Sequence, residues 1–102
     1  MPAAKGWRLR PAAELDLESI WLYGASTWGP QKADAYTDGL FATFDLLADF
    51  PEMARERLEF TPAVRIHPSG THLVIYQISE HGLDIIRVLH AHQNLFFYLQ
   101  EN

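Results

Sequence analysis

The 102 residues supply one domain, since a chain this short lacks the length for two hydrophobic cores, and 48% apolar with 21% charged residues is the composition of a compact globular fold. The absence of cysteine excludes disulfides, thiolate metal sites and a cysteine nucleophile together, and suits a reducing cytoplasm, which is the expected location. A formal charge of -5, from eight Lys and Arg against thirteen Asp and Glu, repels nucleic acid at long range, so protein partners are expected and direct nucleic-acid binding is not.

Residues 1–6 carry a single Lys with no apolar run behind it, so no signal peptide is expected. Nowhere does the chain approach the roughly 20 apolar residues a membrane helix requires. Trp7 to Arg10 reads as a short first strand halted by Pro11, which fits the first turn of a helix because its missing N–H is not needed there. A first helix is predicted from about Ala12 to Thr27, on the apolar stripe Ala13, Leu17, Ile20, Trp21, Gly24 and Trp28. Gly29-Pro30 breaks the pattern. A second helix is predicted from Pro30 to about Asp49, with the stripe Ala33, Tyr36, Leu40, Phe44 and Leu47, and the short break between the two makes an antiparallel helical hairpin.

After Pro51 the period changes. Glu52 to Pro62 is polar and reads as irregular, with room for one helical turn. Val64 to His67 is a predicted strand, Pro68-Ser69-Gly70 a turn, and Thr71 to Ser79 a second strand on its β-branched and aromatic content. Glu80-His81-Gly82 turns the chain into a last strand from Leu83 to His90. The segment from Gln93 to Leu99 is too apolar to hang in water, so part of it must dock as a short helix or strand. The predicted class is α+β: an N-terminal strand, then an antiparallel helical hairpin packed on an antiparallel sheet with a C-terminal three-strand meander.

Certain residues in this order resemble the ParE branch of the RelE/ParE toxin superfamily across nearly the whole chain. Asp16-Leu17-Glu18-Ser19-Ile20-Trp21-Leu22-Tyr23 is similar to the family's Asp-Leu-x-x-Ile-x-x-Tyr. Trp28-Gly29 followed by Ala33 and Tyr36 matches the hairpin corner, and Pro62-Ala63-Val64-Arg65 the family's Pro-Gly-x-Arg, with Ala63 in place of Gly. Gly70-Thr71-His72, Tyr76 and Arg87-Val88-Leu89-His90 match the meander, while Gln93-Asn94 stands where many relatives have Met-Asp. The resemblance implies a toxin that inhibits DNA gyrase by protein contact without chemistry of its own. It also implies a hetero-oligomer with a ParD-like antitoxin, a ribbon-helix-helix protein whose disordered C-terminal segment folds along the toxin.

Candidate residues follow. Leu15 and Leu22 fall opposite the main stripe of the first helix, and Phe41 sits toward Asp34, Asp38 and Asp45 on the second. The functional reading of these apolar positions is a groove that takes an amphipathic antitoxin helix, with Asp34 and Asp38 attracting its Lys and Arg; the plain reading is ordinary exposed side chains and a solvated acidic face. On the sheet, His72 and Tyr76 share one face of their strand and Arg65 and His67 one face of theirs, pointing away from the helices if the hairpin covers the other side, while the face of Arg87 depends on register. Arg65, His72, Tyr76, Arg87, His90 and Gln93 form the expected target-facing strip. A second reading is a ribosome-dependent messenger endoribonuclease of the RelE branch using Arg65, His72, Arg87 and His90. Neutral imidazole at His67 and His72 is a weak substitute for a fixed cation at a phosphate, which disfavours that reading. A third is a decayed toxin that keeps only antitoxin binding. No metal or other cofactor is expected, because His90-Ala91-His92 is weak ligand spacing by itself.

Overall fold

The computed structural model describes residues 6–99, so the expected lack of a leader over residues 1–6 lies almost wholly outside the described residues. In chain order it contains strand β1 (Trp7–Leu9), helices α1 (Pro11–Trp28) and α2 (Pro30–Asp49), strands β2 (Glu56–Arg57), β3 (Val64–Ser69), β4 (His72–Ser79) and β5 (Gly82–His90), and a single-turn helix α3 (Leu95–Tyr98). None of the described helices is long and apolar enough to cross a membrane.

α1 starts one residue earlier than its stripe suggests because Pro11 is pre-set for the first helical position after an extended Arg10. It runs to Trp28, where Gly29 takes φ 98°, a conformation other residues rarely adopt. That one glycine closes α1 by donating its N–H to the Ala25 carbonyl and opens α2 by accepting from Ala33 N–H. The hairpin corner is therefore a single residue wide.

The sheet has the order β1-β5-β4-β3-β2. β3, β4 and β5 form the expected antiparallel meander. β1 pairs parallel to β5, Trp7 opposite Leu83, because the chain passes through the whole hairpin before it returns. β2 adds a two-residue edge antiparallel to β3 in a stretch expected to be irregular. Two residues of polar sequence leave no periodicity to read.

The hairpin covers one sheet face. Ala13, Leu17, Leu40, Phe44 and Leu47 pack there against Val74, Tyr76, Leu83, Ile85 and Val88. Full burial of side chains of this size stabilises by about 1.5–3 kcal/mol each before conformational entropy is counted. The opposite face is not open as expected. Phe60, Val64, Ile75 and Leu89 form a second core, capped by Leu95 and Leu99 from the C-terminal segment. The unbroken apolar run Leu73-Val74-Ile75-Tyr76 is the mark of a strand buried on both sides.

Two stripe residues, and Phe41 beside them, need correction. Trp28 is 60% exposed rather than buried. Phe41, expected beside the aspartates, is half-buried and stacks on Trp7, with ring centroids 5.8 Å apart. Trp21 lies at the edge of the stripe and donates its indole N–H to Asp34.

Candidate functional site

Gly24 on α1 meets Ala33 on α2 so closely that a Cβ on the glycine would lie 3.3 Å from the Ala33 Cβ. Small residues at this crossing bring the helices together near the corner. Beside the contact, between the hairpin and the ends of β4 and β5, lies a groove of about 740 Å³. α1 contributes Ser19, Ile20, Tyr23 and Trp28 to its lining, α2 Lys32 and Tyr36, and the strand ends Thr71, His72 and His90. Tyr23 and Trp28 meet edge to face at 5.7 Å, and both are more than half exposed. An aromatic, water-facing wall of this kind is rare unless something covers it.

The inner wall is polar and well ordered. Tyr36 Oη accepts the Thr71 N–H at 3.1 Å and lies 2.6 Å from His72 Nδ1. His72 faces His90 across the β4–β5 ladder, ring centroids 5.4 Å apart. Burial, and then the neighbouring His90, push the His72 imidazole below its ordinary range, while Asp16 opposes them weakly.

Just behind the groove, Asp16 accepts two hydrogen bonds from the Arg87 guanidinium and one from the Val88 N–H. Arg87 lies next to the register shift in the β4–β5 pairing and also sits over the Tyr98 ring at 5.6 Å. At the other end of β5, Asp84 is buried and accepts from Arg8 and Arg10, which hold its carboxyl below the usual carboxylate range, the Arg8 hydrogen bond contributing most.

The expected target strip is divided by the fold. Tyr76 is fully buried under the hairpin and donates its hydroxyl to the Pro51 carbonyl, so it is not a surface residue. Arg65, paired with Tyr76, turns inward and donates to the Ala54 carbonyl. His72 points at α2 rather than away from the helices. His67 pairs with Val74, on the same side. Arg87 is held by Asp16. Only His90 and Gln93 stay together at the end of β5, where Gln93 Oε1 accepts the His90 N–H. Leu15 and Leu22 are exposed on α1 as expected, 64% and 58%. Asp38 is exposed, and Asp34 is engaged by Trp21. Tyr23 and Thr71 were not singled out as site residues from sequence, nor was Asp16, although Tyr23 and Asp16 stand inside the motif of the first helix. No group of three or more metal-ligating side chains is present among the described residues.

Residues 7–95 match the family model described as ParE toxin of type II toxin-antitoxin system, parDE. The chain is 36% identical over 90 residues to a protein named Toxin ParE1 of Caulobacter vibrioides, covering 88% of this chain and 93% of that protein. It is 33% identical over 88 residues to a Toxin ParE1 of Mycobacterium tuberculosis, covering 85% and 90%. Among solved structures, a chain of the chromosomal ParDE TA system from P. aeruginosa superposes with a TM-score of 0.72 at 17% identity, over 83% of this chain and 94% of that one.

Proposed function

The chain belongs to the ParE toxin family of type II toxin–antitoxin systems, and from that premise we propose that it arrests growth by docking onto DNA gyrase and is silenced by a ParD-like antitoxin. The observation that carries the antitoxin half is the aromatic groove between the hairpin and the strand ends. Ser19 and Tyr23 on its rim lead over α1 to the exposed Leu22 and Leu15, so one amphipathic segment can cover both. An antitoxin segment that folds on docking loses chain entropy but gains this apolar area.

Docking onto the target uses the segment that follows β5: Gln93, then the exposed Phe96 and Phe97, with His90 at the junction between this strip and the groove. The hydrogen bonding of the cations favours docking over RNA cleavage. A phosphate-cutting site needs fixed positive charge aimed at the reacting atoms. Here Arg87 is committed to Asp16, Arg8 and Arg10 to Asp84, and Arg65 to a backbone carbonyl.

Gyrase supercoiling and cleavage-complex assays with the purified chain, run beside mapping of messenger ends in arrested cells, test the proposal. Inhibited gyrase with intact messengers is expected. Ribosome-dependent cuts that vanish when His72 or His90 is replaced would overturn it in favour of a nuclease. For the antitoxin half, Leu15→Asp with Leu22→Asp is expected to weaken binding of a ParD-type antitoxin without unfolding the toxin. Unchanged affinity would remove this face of α1 from the interface.

A further inference from the structure

His90 Nδ1 accepts the N–H of His92 at 3.2 Å, which orients the ring at the end of β5. At His72, Nδ1 lies 2.6 Å from Tyr36 Oη, the shortest contact of a phenol that also accepts the Thr71 N–H. Both imidazoles thus line the groove with their rings oriented, centroids 5.4 Å apart. We infer that the His72–His90 pair makes occupancy of the groove proton-dependent: an amphipathic antitoxin segment is held while both rings are neutral and released when the pair takes up a proton. The inference rests on the groove being the antitoxin's seat.

The surroundings favour that sign. A charged imidazole covered by an apolar side chain loses its hydration, which penalises the complex more than the open groove. From α1 the nearest carboxylate is Asp16, already committed to Arg87 and the Val88 N–H. α2 presents Lys32 and the Tyr36 phenol to the same groove. β3 places Ser69 opposite His72, with His67 two residues away. β5 adds Arg87, and the turn after it His92, whose ring lies 5.1 Å from that of His90. Asp16 is the carboxylate that acts on His72, and burial and His90 outweigh it. The lowered pKa of His72 agrees, and places the change below about pH 6.5, the ordinary imidazole value.

The test is calorimetric titration of this chain with its cognate ParD-type antitoxin, between about pH 7.5 and 5.5. Affinity is expected to stay level near neutrality and to weaken on the acid side by up to about tenfold per pH unit, the limit for one proton lost on binding. His72→Asn and His90→Asn are expected to flatten that limb. An equal limb in both variants overturns the inference. Imidazole proton resonances of the unaltered chain give a second reading that needs no variant: His72 must titrate when free and stay neutral when bound, and identical titration in both states also overturns it. Trp28→Ser near neutral pH tests the seat itself. Undiminished affinity there removes the groove from the antitoxin interface, whereas weaker binding with an unaltered acid limb in the histidine variants sinks the proton dependence alone.

Discussion

Asp16 of α1 grips Arg87 of β5 through two hydrogen bonds of 2.8 Å each, and takes the Val88 N–H at 2.9 Å with the same carboxylate. The side chains are 14% and 22% exposed, so water screens the pair little. Because Arg87 also lies over Tyr98, one carboxylate on the hairpin fixes both the irregular part of β5 and the helix that ends the chain. Asp16→Ala leaves a part-buried cation and an orphaned N–H. The expected loss is about 2–4 kcal/mol, read as a lower urea midpoint. With Tyr98 released, gyrase inhibition should fall even at temperatures where the variant remains folded.

Gly70 is in the left-handed region at φ 61°, and a Cβ there would stand 2.6 Å from Tyr36 Oη. Gly70→Ala therefore strains the turn and drives the phenol out of the groove wall. An expected cost of about 1–3 kcal/mol should come with a weaker antitoxin complex. Tyr36→Phe separates the two effects. It removes the hydroxyl but keeps the ring, so most of the stability should return while the ordering of His72 does not. Comparing thermal unfolding with antitoxin affinity for the two variants checks this.

Tyr76 supplies a contrast, because the alternation along its strand pointed to it as a target contact and the fold buries it. Tyr76→Phe deletes the hydrogen bond to Pro51 and strands that carbonyl, which is expected to cost about 1 kcal/mol. Gyrase inhibition per folded molecule should be unchanged. A selective loss of inhibition at full stability would return Tyr76 to the target surface.

How far the sequence disclosed this molecule depends on the range of the signal. Helix stripes and the turns at Gly29, Gly70 and Gly82 are local, and they located α1, α2 and the meander to within a residue or two. The face assignments failed because they depend on partners far along the chain. Phe41 is buried by Trp7, which reaches it only once β1 has paired with β5. The register shift between Ile75 and Tyr76 breaks the simple alternation in the β4–β5 pairing, so the face of Arg87 could not be read from its strand alone. His72 looked like an outward strand residue, and only the position of Tyr36 on α2 shows that it faces the hairpin. The exposed Leu15 and Leu22 could be read because a helical wheel needs no tertiary information.

Acid should destabilise the protein in two separate steps. Asp84 is held below the carboxylate range by Arg8 first and Arg10 after it. A depressed carboxyl contributes stability above its unfolded value of about 3.9, and that contribution disappears as pH falls through the folded value. Arg8 and Arg10 are 60% and 48% exposed, so solvent screening keeps the contribution small. His72 acts at higher pH. Its folded imidazole binds a proton less readily than the unfolded one, so stability is complete above about pH 6.5 and declines as pH drops from there toward the folded value. Urea midpoints measured against pH should therefore show an upper and a lower limb. His72→Asn should abolish the upper limb alone, and Asp84→Asn the lower alone while reducing stability at neutrality. If Asp84→Asn follows the unaltered chain throughout the acid range, the two arginines contribute nothing to acid resistance, and the second step must come from carboxylates elsewhere on the surface.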